Sequence, residues 1–188
     1  MARSVSSWVQ RVTNTGTALF ALAIFLLFTA FVLPAQSDRA EAYTGDARSP
    51  DTSFFYSPGD LYSAAQAYGE DGRRAYVRSR FTFDAIWPLV YMLFLTTAIS
   101  WVFGRTFAEE SRWRLANLVP IAGALFDYLE NVATSIVMLR YPERTPVIDT
   151  LAPGFTLLKW LLIGGSFSLL LIALLVGAWR WIRKTAGQ

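Results

Sequence analysis

Long apolar stretches alternate with short polar segments along the chain, and four of the stretches are long enough to cross a bilayer. A transmembrane helix needs about 20 predominantly apolar residues. The four stretches cover residues 15–33, 81–103, 116–139 and 151–179. The first is longer than the apolar core of a cleaved signal peptide, so we interpret it as a retained helix. The pattern predicts an all-α, polytopic membrane protein whose single membrane domain is a four-transmembrane-helix bundle.

Polar and basic residues separate the apolar stretches, and their distribution predicts an orientation. Positive charge favours the cytoplasmic side of a membrane. If both termini are inside, all the basic residues on the cytoplasmic side lie in short segments. On the outer side, the short loop between the third and fourth stretches contains only Arg140 and Arg144. When the basic residues of all extramembrane segments are counted, the two sides of the membrane have equal numbers. We therefore expect an integral protein of the plasma (inner) membrane with both termini in the cytoplasm.

The segment 35–80 is expected on the outer side as a loop followed by an amphipathic helical cap. Residues 35–52 are polar and rich in turn formers, which predicts a surface loop. Residues 57–60 (Ser-Pro-Gly-Asp) combine a serine cap, a proline and an acid, which is typical of a helix start. Gly69 is expected to end that helix.

A second helical stretch begins near Asp71 and is expected to run into the second transmembrane helix. This stretch contains the basic residues of a predicted outer interface. Asp84 follows the last of them, Arg80, by four residues, and this spacing favours a salt bridge between the two side chains. The interface set is Arg73, Arg74, Arg78, Arg80 and Asp84. We interpret the cap as lying on the outer leaflet with its aromatics inserted and its arginines among the headgroups. A solvated linker is the alternative.

The third and fourth stretches contain the residues that are able to carry chemistry. Asp127, Glu130 and Asn131 are spaced i, i+3, i+4 and lie on one side of a helix. Glu130 and Lys159 lie roughly 13 Å and 12 Å from the same outer surface of the membrane, at 1.5 Å per residue along two antiparallel helices. Ionisable groups at this depth normally find partners. The set predicts either a clamp between two helices, with Asn131 bridging the pair, or a functional site: a proton or cation relay, or a polar pocket for a small ligand.

Composition removes several classes of function. Of the 188 residues, 16% are charged, against about 25% in a typical soluble domain. The chain contains 0 Cys and 0 His, which excludes thiolate and imidazole metal ligands, disulfides and a cysteine nucleophile. We expect no metal and no cofactor. The glycine-rich, GxSxG and HExxH motifs are also missing, so an enzymatic activity is not indicated.

Three functions remain open at this point. The preferred one is a non-catalytic accessory or assembly subunit, whose partners are the lipid bilayer and other membrane subunits or further copies of the chain. The second is a small transporter or ion pathway that uses Asp127, Glu130 and Lys159. The third is a lipid-modifying membrane enzyme with the carboxylates as acid and base. No nucleic-acid partner is expected, because the basic residues flank the apolar stretches.

Overall fold

The computed structural model describes residues 1–44, 49–50 and 53–186, and in these ranges the chain is helical, without strands. Its α-helices are α1 (Ala2–Val12), α2 (Thr15–Leu27), α3 (Leu33–Thr44), α4 (Pro58–Arg80), α5 (Phe83–Thr106), α6 (Val119–Arg140) and α7 (Ile148–Ala186). A π-helical turn, Phe28–Val32, joins α2 to α3, and a 3₁₀ segment, Arg112–Leu118, leads into α6.

Three helical stretches of the described residues are long and apolar enough to cross a membrane. They are Thr15–Ala42, Pro58–Thr106 and Ile148–Trp179, and they contain the first, second and fourth predicted stretches. The third stretch forms α6 but is not among them, because Asp127, Glu130 and Asn131 lower its hydropathy. The all-helical fold is therefore confirmed, together with three helices suited to a membrane.

The helix α6 lies at the centre of the molecule and contacts α4, α5 and α7. On one side, a main core of apolar residues fills the space between α2, α5, α6 and α7. Its most buried members include Leu95, Ile99, Phe103, Ala124 and Ala173. On the other side, a second core joins α4 to α6 and the start of α7. Burial of these two surfaces fixes α6 between its neighbours, since removal of apolar area from water or polar surroundings stabilises the packed state.

The apolar side of α4 faces protein, which corrects the interpretation that the cap lies on lipid. Leu61 and Tyr76 are both 0% exposed, and they pack with Val137 and Met138 of α6 in the second core. A side chain that is fully covered by α6 has no surface left for acyl chains. The cap is therefore part of the folded helical body, and its exposed side is the polar one.

The boundaries of α4 agree in part with the prediction. Ser57 caps the helix: its Oγ accepts from Asp60 N, and Asp60 Oδ2 accepts from Ser57 N at 2.8 Å. These bonds hold the pKa of the exposed Asp60 carboxyl below its usual value. Gly69 kinks the helix with a φ of 63°, a conformation that favours glycine. The helical stretch runs on into α5 as expected, with a two-residue turn at Phe81–Thr82 between the two helices.

Part of the predicted surface loop 35–52 is helical, since α3 extends to Thr44. Residues 45–48 and 51–52 of that loop lie outside the described residues. The π-helical turn comes directly before Pro34, which has no N–H to donate to Ala30. A wider turn accommodates this missing bond, and the helix then continues through residues with good helix propensity.

The helix α1 was not predicted, and it has three different sides. Ser6 and Val9 are buried against the 3₁₀ segment, where Ser6 Oγ donates to the carbonyl oxygen of Arg114 at 3.2 Å. Val5, Trp8 and Val12 form an exposed apolar stripe. The remaining side is polar. Only two residues, Thr13 and Asn14, connect α1 to α2.

Candidate functional site

A cavity of about 340 Å³ lies among α2, α3, α5, α6, α7 and the end of α4, at the end of α5 that follows the cap. Its aromatic lining consists of Phe25, Phe83, Trp87, Tyr91, Trp160 and Phe167. Its polar lining includes Gln36, Ser79, Arg80, Asp84, Asp127 and Lys159. Asp127 and Lys159 of the predicted intramembrane site therefore face the same cavity as Arg80 and Asp84 of the predicted outer interface.

Stacked aromatic rings build one wall of the cavity. Phe25 stacks on Phe94 with ring centroids 4.5 Å apart, and Phe28 stacks on Trp87 at 5.5 Å. The Trp87 ring then meets Tyr91 edge to face at 5.7 Å. These contacts connect α2 to α5 and give the cavity an apolar, preformed side.

Lys159 and Glu130 form a buried salt-bridge contact between α7 and α6, through Lys159 Nζ and Glu130 Oε2. Their matched positions along the two helices predict this contact. The side chains are 6% and 0% exposed. The ammonium nitrogen of Lys159 also lies 5.2 Å from the centroid of the Trp160 ring. A charge at this burial is stable only with such partners, because desolvation of an isolated ion is costly.

Asp127 lies in the middle of a hydrogen-bonded chain that begins at a side chain of α5 and returns to the backbone of α5. Tyr91 Oη donates to Asp127 Oδ2 at 2.9 Å, and Asn131 Nδ2 donates to Asp127 Oδ1 at 3.3 Å. The same Asn131 nitrogen lies 3.5 Å from the carbonyl oxygen of Asp84. Asn131 thus joins Asp127 to the backbone of α5, which corrects the expectation that its side chain bridges Glu130 and Lys159.

Arg80 and Asp84 form the second buried salt bridge, with Arg80 Nε 3.0 Å from Asp84 Oδ2. Their side chains are only 7% and 9% exposed. The guanidinium carbon of Arg80 lies 4.6 Å from the centroid of the Tyr76 ring. The pairing agrees with the i, i+4 spacing, but the position among headgroups is wrong, because the pair is enclosed by protein.

The other members of the predicted outer interface are separated from one another. Arg73 Nη1 donates to the carbonyl oxygen of Ala65 at 2.9 Å. Arg74 pairs with Glu70 at 2.5 Å on the exposed side of α4, and Arg78 is also exposed. These arginines do not contribute to the cavity lining.

The sequence interpretation missed the aromatic half of the cavity. Asp84, Trp87 and Tyr91 are spaced i, i+3, i+7 and therefore lie on one side of α5. That spacing was the available signal, since it places a carboxylate, an indole and a phenol in one row. Gln36 was not identifiable in this way, because its segment was interpreted as a loop.

The arrangement is suited to binding a molecule that has both polar and apolar parts. Within the described residues, no three acidic side chains are grouped so as to hold a metal ion. Comparisons of the chain with protein-family models, with curated proteins and with solved structures find no match.

Proposed function

We propose that the chain is an integral membrane protein of accessory, non-catalytic function that binds an amphiphilic molecule in the cavity. The observation that carries this proposal is the composition of the cavity lining, which combines aromatic and aliphatic side chains with buried charged groups. Ligand sites in proteins occupy about 300–1,000 Å³ and are mostly apolar with a few placed polar groups. The cavity of 340 Å³ fits the lower end of that range.

In this proposal α2, α5, α6 and α7 cross the plasma membrane, with both termini in the cytoplasm. The assignment of α6 as the fourth span is supported by its polar side, whose Glu130 contacts Lys159 and whose Asp127 accepts two hydrogen bonds. A helix with paired polar groups turned inward is compatible with lipid around the bundle. In the same proposal, the exposed stripe of α1 lies at the cytoplasmic surface; the connection of only two residues between α1 and α2 supports this.

The outer surfaces of α2 and α7 support an accessory role among membrane proteins. Phe31 is 70% exposed on the π-helical turn, and Leu171 and Leu175 are 59% and 61% exposed on α7. Exposed apolar surface of this extent requires lipid, another membrane subunit or a second copy of the chain. These partners belong to the proposal.

Binding is favoured over ion conduction because the main core closes the bundle beyond the cavity. Leu95 and Ile99 are 0% exposed, and Phe103 is 2% exposed, along the continuation of α5. An ion pathway through this region needs polar groups or water to replace the hydration of the ion. The cavity thus resembles a binding site with access from one side.

The proposal is tested by filling the cavity and counting retained amphiphiles with native mass spectrometry. Ala40 lines the cavity, so Ala40→Phe reduces its volume. Ala23→Phe is the matched control, because Ala23 is exposed on α2 and does not line the cavity. Protein purified in mild detergent should retain one amphiphile of the host membrane per chain in the wild type and in Ala23→Phe, and lose it in Ala40→Phe. Equal retention in all three proteins, with equal thermal stability, contradicts the proposal.

A further inference from the structure

We propose that α1, the start of α2 and the end of α5 bind an anionic phospholipid of the membrane. In this site Arg11 and Arg105 contact the phosphate of the lipid, and the exposed apolar stripe of α1 contacts its acyl chains. The inference rests on the membrane topology of the proposed function, and it adds a second site that is separate from the cavity. It follows from the level of α1 along the bundle, from its fixed rotation and from the positions of the two arginines.

The helix α1 lies beside the last turns of α5 rather than beyond its end. Asn117 Nδ2 donates to the carbonyl oxygen of Ser6 at 3.3 Å and to Ser100 Oγ at 2.9 Å. Ser6 is therefore close to the level of Ser100, which lies about 9 Å before the end of α5 at Thr106. If α5 spans the bilayer, a helix at this level lies at the membrane interface, where amphipathic helices bury their apolar side.

Hydrogen bonds to the 3₁₀ segment fix the rotation of α1 about its axis. Ser6 Oγ and Gln10 Nε2 each donate to the carbonyl oxygen of Arg114 at 3.2 Å. Arg114 Nη1 in turn donates to Gln10 Oε1 at 3.2 Å. This attachment turns the apolar stripe away from the protein, and Trp8 in the middle of the stripe is 59% exposed. The stripe is thus available to acyl chains without a rearrangement of the fold.

Two arginines flank the two-residue connection between α1 and α2. Arg11 lies in the last turn of α1. Arg105 lies in the last turn of α5, and its Nη2 donates at 3.4 Å to Oγ1 of Thr15, the first residue of α2. Since consecutive Cα atoms are about 3.8 Å apart, the Cα atoms of Arg11 and Thr15 are no more than about 15 Å apart. Both guanidinium groups therefore belong to the same corner of the molecule.

Both guanidinium groups are on exposed residues and donate to neutral oxygens. Arg11 Nε donates to the carbonyl oxygen of Ser7 at 3.4 Å, and Arg105 Nη1 donates to the carbonyl oxygen of Trp101 at 3.1 Å. The guanidinium carbon of Arg105 also lies 3.9 Å from the centroid of the Trp101 ring. Arginine and tryptophan side chains at the end of a membrane helix are typical of the headgroup region, where basic groups attract anionic lipids.

The acids that follow α5 in sequence face a different part of the surface. The sequences of α1, α2 and the second half of α5 contain no acid. Glu109 and Glu110 line a cleft between α1 and the 3₁₀ segment together with Arg3 and Arg112. The two arginines of the lipid site do not line that cleft, and its acids are accompanied by bases of their own. The corner at the α1–α2 connection is therefore suited to a negative headgroup.

The full-length protein in nanodiscs of two lipids tests the proposal. The nanodiscs contain phosphatidylglycerol and phosphatidylcholine in equal parts, with matched acyl chains, so the two lipids differ in headgroup charge. Lipids that stay bound after release of the protein are counted by native mass spectrometry. One basic side chain near an anionic surface strengthens binding by about five-fold. We expect the wild type to retain phosphatidylglycerol at least about five-fold more often than phosphatidylcholine.

Variants of exposed arginines locate the site. Arg11→Gln and Arg105→Gln should each lower the phosphatidylglycerol preference by about two- to five-fold, and the double variant should remove it. Arg11→Lys retains the charge and should retain the preference within about two-fold. Arg78→Gln is the matched control, because Arg78 is exposed on α4 beside the opposite end of α5. This control should leave the preference unchanged.

The cavity variant Ala40→Phe separates this inference from the proposed function. Ala40→Phe should leave the phosphatidylglycerol preference unchanged, because Arg11 and Arg105 do not line the cavity. A preference that is lost in Ala40→Phe places the anionic lipid in the cavity, which overturns the inference and leaves the binding function intact. Equal retention of the two lipids by the wild type, or an undiminished preference in the double variant, also overturns it. Equal retention of the two lipids, together with host amphiphiles that are unaffected by Ala40→Phe, overturns both proposals.

Discussion

Removal of the Lys159 ammonium is expected to produce a large loss of stability, because Lys159 belongs to a buried ion pair. Lys159→Met retains the length of the side chain but leaves the Glu130 carboxyl, which is 0% exposed, without its base. Loss of one partner of a buried ion pair costs about 3–5 kcal/mol, because the remaining charge stays desolvated. For a chain of 188 residues this corresponds to a fall in Tm of about 6–20 °C, at about 2–4 °C per kcal/mol.

The assay is thermal unfolding in mild detergent, measured by circular dichroism. A surface pair on α4 gives a matched control. The Arg74 and Glu70 side chains are 70% and 69% exposed. Exposed pairs contribute about 0–1 kcal/mol, so Arg74→Met should shift the Tm by no more than about 4 °C.

The double variant decides whether the two residues act as a pair. With Lys159→Met in place, Glu130→Gln removes the uncompensated carboxyl and should recover at least half of the lost stability. The free energies of the two single changes then fail to add, as expected for residues in contact. Additive losses, or a Lys159→Met variant as stable as Arg74→Met, refute the argument that this contact stabilises the packing of α6 on α7.

Four further positions of the chain test the proposed membrane topology. Because the chain has 0 Cys, a single introduced cysteine is labelled without background from native thiols. Ser63→Cys on the cap should react with an impermeant thiol reagent added to intact cells. Ser111→Cys should react only after lysis. The reverse pattern contradicts the orientation. On α1, Val12 lies on the apolar side and Ser7 on the polar side. A spin label at Val12→Cys should therefore be accessible to oxygen in the bilayer, and one at Ser7→Cys should be accessible to a polar quencher. Equal accessibility of the two labels contradicts the proposal that α1 lies at the membrane interface.

The helical elements were predictable where a single periodicity or cap dominates the local free energy. The apolar runs specify α5 and α7, because only a helix satisfies the backbone polar groups of so long an apolar segment in lipid. The start of α4 follows from Ser57 and Asp60, and its kink follows from Gly69, since these signals act within a few residues. By contrast, α1 and α3 were missed, because their short polar sequences are compatible with both loop and helix until a neighbour covers one side.

The candidate site divides in the same way. Spacing along the chain determined that Asp127, Glu130 and Asn131 share a side of α6, that Arg80 pairs with Asp84, and that Lys159 reaches the depth of Glu130. Each of these relations needs only the rise and the period of one helix or of two adjacent ones.

Tertiary packing decided the remainder. The apolar side of α4 is buried on α6 rather than in lipid. As a result, Arg80 and Asp84 lie in the cavity lining and not at the outer interface where they were expected. The same packing brought Trp87 and Tyr91 next to Asp127. Helical periodicity specifies which residues share a side, but it does not specify what that side contacts. That choice depends on the free energy of packing distant segments together, so the cavity exists only in the folded arrangement of α2 to α7.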